Sequence, residues 1–120
     1  MTMSSGVPAR VETSETEVLI TWGEAGTTAA GLAEMLSTAL TVALRSGVPA
    51  YPLVEELLGL RFVPHGRTGD PLVPFASSVA DHVARHLAIR HLTPEERRKL
   101  GVFVAADSPW PDAYTQAPDA

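Results

Sequence analysis

Residues 17–45 read EVLITWGEAGTTAAGLAEMLSTALTVALR, and this stretch decides the fold class. Glu17 to Trp22 is rich in β-branched and aromatic side chains and stops at Gly23, which predicts a strand. Gly23-Glu24-Ala25-Gly26 supplies a turn, and Thr27 or Thr28 can cap a helix running to about Arg45. Along that helix Leu32, Met35, Leu36, Ala39, Leu40, Ala43 and Leu44 recur at i, i+3, i+4, i+7 spacing. The other side, with Thr38 and Thr41 between Glu34 and Arg45, is only weakly polar. A helix so poor in charge is expected to be covered on most sides, as the central element or in an oligomer interface.

Upstream, residues 1–16 are polar and turn-rich and are expected to be flexible, with a short strand near Val11 at most. Downstream, Ser46-Gly47 and Pro49 end the first helix. A short helix follows, with Pro52 in its first turn, Leu53, Val54, Leu57 and Leu58 facing inward, and Gly59 closing it. Leu60 to Val63 predicts a second strand, and His65 to Pro71 a loop with defined turns. A third helix is expected over Pro74 to His91, with Asp81 and Arg85 paired at i, i+4 on its outer side. Thr93-Pro94-Glu95-Glu96 is a capping box with proline at N1, opening a last short helix that stops at Gly101. Beyond it, residues 102–120 are expected to be a disordered acidic tail rich in proline and alanine, where Trp110 and Tyr114 are the sticky residues. The expected fold is therefore α+β, one small domain over residues 17–101 in the order strand–helix–helix–strand–helix–helix, dominated by helices around a small sheet.

Composition narrows the chemistry. The 120 residues are 45% hydrophobic and 19% charged, as in a globular domain. A net charge of −5 argues against a general nucleic-acid binder. The cations are nonetheless concentrated: Arg85, Arg90, Arg97, Arg98 and Lys99 lie within residues 85–99. That stretch could dock an acidic protein surface or a nucleic-acid backbone, although it has no interleaved aromatics for base stacking. Cysteine is absent, which removes thiolate metal sites, thiol nucleophiles and thiyl radicals together. No secretory pattern is visible, and the apolar run from Thr28 to Leu44 is broken by polar residues, so a soluble cytoplasmic protein without a membrane span is expected.

Three local patterns invite a chemical reading. The Gly23–Thr28 turn could cradle a phosphate, but Thr27 stands where a phosphate-binding loop needs lysine. Ser77, Ser78, Asp81 and His82 offer hydrolase residue types, but one helix cannot aim them at each other. His82 and His86 sit four apart, a spacing able to hold a divalent metal if His65 or Asp70 folds over them, against which Arg85 and Arg90 count. The densest set of specific-looking residues is Arg61, Phe62, Gly66, Arg67, Thr68, Asp70, Ser78, Asp81 and Arg85, a candidate binding or structural loop–helix site in which Arg61 could pair with Asp81 or Asp70.

Those residues also carry a resemblance. Glu17-Val18-Leu19-Ile20, Gly47-Val48-Pro49, the loop Arg61-Phe62, Pro64, Gly66, Thr68, Asp70, and the helix Ala76, Ser78, Asp81, Arg85, Leu87, Ala88 occur in the order seen in one family. Over residues 17–102 the chain resembles the TSCPD-type domain near the C-terminus of adenosylcobalamin-dependent ribonucleotide reductases. The resemblance implies a place in deoxyribonucleotide synthesis and a reductase catalytic chain as partner. It implies adenosylcobalamin only for the full-length reductase, and no cofactor for this stretch. The family's chemistry needs a cysteine thiyl radical and a thiol pair, neither of which is present. An accessory or regulatory binding domain is therefore expected in place of a catalyst, with self-association through residues 28–45 as a further possibility. His82 stands where the family usually has an aromatic residue, so the histidine pair is not inherited. Ser108-Pro109-Trp110-Pro111-Asp112-Ala113 echoes the family's terminal signature with tryptophan in the cysteine position.

Overall fold

In the computed structural model, which describes residues 9–62 and 66–103, the strand expected at Glu17 is one arm of a hairpin. β1 (Ala9–Thr13) pairs antiparallel with β2 (Val18–Trp22), in register from Ala9 opposite Trp22 to Thr13 opposite Val18. Ala9, Val11, Val18 and Ile20 point into the core, and the residues between them point out, as the two-residue period of a strand requires. β1 is the short strand that the sequence allows near Val11; residues 1–8 lie outside the described residues.

α1 (Thr28–Arg45) starts at Thr27, whose hydroxyl accepts from the Ala30 N–H. It lies along the open edge of β2. The Thr41 hydroxyl meets the Val18 N–H at 3.0 Å and the Ser37 hydroxyl meets the Ile20 N–H at 2.8 Å. Hydroxyls in the middle of a helix normally bond only back to their own turn; here they close the edge of a sheet. α2 (Ala50–Leu57) is the expected short helix with Pro52 in its first turn, and Val54 is its fully buried contact.

The second half repeats the order: hairpin, long helix, short helix. β3 (Gly66–Asp70) and β4 (Val73–Ala76) are antiparallel, joined by Pro71-Leu72, with a register shift between Arg67 and Asp70. α3 (Val79–His91) starts at Ser78, whose hydroxyl accepts from the Asp81 N–H. α4 (Pro94–Leu100) has the expected capping box, and Gly101 closes it at φ 79°, in the left-handed region that glycine enters at little cost. The α+β class therefore stands, with the strand expected at Glu17–Trp22 realised in a hairpin and two small sheets in place of one.

Several boundaries differ for physical reasons. Leu60–Phe62 is extended but joins no ladder; the Phe62 N–H reaches the Ser77 carbonyl, and the Ser77 hydroxyl takes the Leu60 carbonyl. Val63 lies outside the described residues. The loop expected over His65–Pro71 is mostly strand, and the helix expected from Pro74 begins five residues later because Pro74–Ala76 complete β4. The center of the molecule is α3: nine of its thirteen residues are buried, and it packs on β1, β4 and α2. α1, expected to be covered on most sides, buries only Ala33, Ser37 and Leu40 completely. Val102, assigned to the tail, is a core residue 2% exposed; the tail from residue 104 lies outside the described residues.

Candidate functional site

The β3–β4 turn aims a carboxylate inward. Asp70 Oδ1 accepts from the Leu72 N–H at 2.9 Å, and the Asp70 N–H donates to Thr68 Oγ1 at 2.9 Å. The Thr68 hydroxyl in turn donates to the Val73 carbonyl. This local network fixes Asp70 so that Oδ2 meets both histidines of α3, His82 Nε2 at 3.0 Å and His86 Nε2 at 2.6 Å. The two rings are 5.5 Å apart and inclined at 48°. Behind them, His86 Nδ1 faces Thr13 Oγ1 of β1 at 3.3 Å, and Arg90 Nε donates to that same oxygen at 3.0 Å. His82 Nδ1 is buried without a partner. One cluster thus links the turn, α3 and β1.

Burial alone would raise the Asp70 carboxyl, but hydrogen bonds from His82, His86 and the Leu72 amide outweigh it and hold the group below its ordinary range. For His82 burial wins: its imidazole is pushed below the usual value despite the hydrogen bond and charge of Asp70.

A second buried carboxylate does separate work. Asp81, 1% exposed, accepts from the Gly59 N–H at 2.7 Å, the Ser77 N–H at 2.9 Å and Arg85 Nε at 2.9 Å. It ties the end of α2 to the start of α3. The sequence-derived loop–helix set is therefore not one site. Thr68 and Asp70 join the histidines. Ser78, Asp81 and Arg85 form the helix-start network, in which Asp81 pairs with Arg85 and not with Arg61. Arg61, Phe62 and Arg67 are exposed; Phe62 lies 6.2 Å from Trp22, and Arg67 sits over the Phe75 ring at 5.2 Å. Gly66 opens β3. His65 lies outside the described residues. The hydrolase combination is dispersed: Ser78 caps α3, Ser77 holds Leu60, and His82 faces Asp70.

The basic stretch is partly internal. Arg97 is buried and donates to the Leu92 carbonyl at 2.7 Å, at the C-terminal end of α3. Arg85 is engaged by Asp81, and Arg90 by Thr13. What the sequence reading missed is an exposed apolar strip on α1. Leu32, Met35 and Val42, with Ala39 between them, are open to solvent at 48%, 63% and 57% for the three large residues. Beside it runs a broad groove between β2 and α1, rimmed by the Glu17–Arg45 ion pair at 3.4 Å. Spacing showed an apolar helix; it did not show which half of the apolar surface faces the strands.

Two hairpins, each backed by a long and a short helix, with buried polar networks at the second, define a small α+β domain. The TSCPD domain family matches residues 2–91, and the chain belongs to it. It is 37% identical over 91 residues, 76% of its length, to proteins named vitamin B12-dependent ribonucleotide reductase from Streptomyces avermitilis and Streptomyces coelicolor, of which those residues make up 9%. A protein of the same name from Rhodopirellula baltica is 35% identical over 77 residues, 7% of its length. The chain therefore spans less than a tenth of these relatives. No solved structure matches it significantly.

The described residues do not fit the B12 group those names imply. The groove between β2 and α1 carries no histidine to reach a corrin metal, and His82 and His86 are buried against Asp70. Among the described residues no helix is long and apolar enough to cross a membrane.

Proposed function

We propose that this chain is an accessory domain of ribonucleotide reduction, acting in the cytoplasm by docking onto a reductase catalytic chain and carrying out no reduction of its own. The observation that carries this is the uncovered strip of Leu32, Met35, Ala39 and Val42 on a domain whose relatives hold the matching segment within a chain some tenfold longer. Water-exposed apolar side chains aligned along one helix face are what a protein partner covers. The lack of any cysteine supports the non-catalytic part, since thiol chemistry is what the related enzymes' reaction demands. Nothing about Arg97 favours a nucleic-acid surface over residues 85–99, because its guanidinium is spent on helix carbonyls.

The test is affinity capture from an extract of the source cell, comparing the wild-type chain with Met35→Asp. Recovery of a ribonucleotide reductase by the wild type, lost in the variant, is expected. If neither a reductase nor any other deoxynucleotide enzyme is recovered, the proposal fails. Light scattering separates the competing occupant: a doubled mass that Met35→Asp abolishes assigns the strip to a second copy of this chain.

A further inference from the structure

We propose that Asp70, His82 and His86 bind a divalent transition-metal ion, zinc foremost, which staples the β3–β4 turn to α3. The donor set is two imidazole nitrogens and one carboxylate oxygen, with ligand atoms all within 4.8 Å of one another. That mixture suits zinc and its first-row neighbours, whereas calcium and magnesium ask for oxygen alone.

The site is assembled before any ion arrives. His82 and His86 lie one helical turn apart on α3, so both Nε2 atoms look the same way. Asp70 is held in place by Thr68 and the Leu72 amide, not by the histidines alone. Thr13 Oγ1 lies against His86 Nδ1, where it can accept the N–H that leaves Nε2 free to ligate. Ligand atoms around a tetrahedral zinc are roughly 3.3 Å apart for bonds of about 2.0 Å. The Asp70 oxygen, at 3.0 and 2.6 Å from the two nitrogens, needs to withdraw by about 0.3 and about 0.7 Å to reach that spacing, and side-chain rotations bring the two nitrogens to the same separation. The fourth position falls to water, reached through the slightly exposed edge of His86 and Asp70.

The arginines that spoke against a cation are otherwise engaged. Arg85 is neutralised by Asp81 at 2.9 Å, and Arg90 is exposed, its charge shared with solvent. Zinc would convert two N–H groups crowded onto one carboxylate oxygen into three lone pairs aimed at one point. A domain of this size with two marginal hairpins gains most from such a cross-link. None of the three ligands lies on α1, so the site is independent of the docking proposed above.

The experiment uses the full chain purified without an affinity tag, stripped with EDTA, and titrated with ZnCl2 by calorimetry and with CoCl2 by visible absorption. One equivalent of zinc is expected to bind, to give cobalt bands of tetrahedral or five-coordinate intensity, and to raise Tm on the order of 10 °C at a hundredfold excess over Kd. Asp70→Asn and His86→Gln are expected to lose the cobalt spectrum while His91→Gln keeps it. Binding retained in both site variants would place the ion elsewhere and overturn the proposal. Should those variants fail to fold, the wild type decides: a Tm unmoved by zinc and by EDTA, with no stoichiometric heat, leaves Asp70 and the histidines as a hydrogen-bonded triad only.

Discussion

Ser37 on α1 closes the edge of β2 at Ile20, accepting from its N–H at 2.8 Å and lying 3.5 Å from its carbonyl, while its own turn is served through the Ala33 carbonyl at 2.7 Å. An open strand edge is otherwise a template for another chain. Ser37→Ala strands a buried amide and is expected to cost about 1–3 kcal/mol. Urea denaturation reads this directly. An unchanged midpoint would mean that water replaces the hydroxyl.

Asp81 gathers two backbone amides and one guanidinium in a site closed to solvent. Its removal leaves three donors unpaired, whereas loss of Arg85 leaves the amides in place. Asp81→Ala is expected to destabilise by about 3 kcal/mol or more, and Arg85→Ala by clearly less. Equal losses in the two variants would show that the ion pair, and not the amide cradle, holds α2 to α3.

Arg97 serves the end of α3 from within the core. Arg97→Met is expected to cost about 1–3 kcal/mol, because the Leu92 carbonyl loses a charged donor. The exposed neighbours Arg98 and Lys99 are expected to stay within about 0.5 kcal/mol on replacement by Gln. Comparing thermal midpoints of the three variants checks both statements; a silent Arg97→Met contradicts them.

His91, half-buried between the long helices' ends, is held below its ordinary pKa by burial and by Arg90, against the pull of Glu15. In the unfolded chain it takes up a proton near the ordinary histidine value of 6.5, earlier than in the folded chain as pH falls. Its contribution is therefore complete above that value and declines as the medium becomes more acidic. The gap in stability between wild type and His91→Gln is expected to move against the wild type between pH 7.5 and 5.5. A gap that stays level across that range contradicts the shift.

Much of the architecture was legible because it is local. The strand ending at Trp22, the helix after Thr27, the stop before Pro49 and the Thr93 capping box all depend on residues within a few positions of each other. β3 was not legible: Gly66-Arg67-Thr68-Gly69-Asp70 has the composition of a loop, and it is pairing with β4, reinforced by side-chain bonds from Thr68 and Asp70, that makes it a strand. Of the candidate site, the four-residue spacing of His82 and His86 was visible, and Asp70 was one of two partners considered; the contact that chose it runs across twelve residues.

By itself the sequence settled the absence of thiols, the family, the α+β class and the caps, since composition and short-range backbone preferences need no partner. Tertiary structure alone decided which face of α1 stays open, that Asp81 takes Arg85, that Arg97 turns inward, and that Asp70 meets two histidines. Those outcomes depend on how whole elements are placed against one another, and a periodic pattern along one helix does not say what lies across from it.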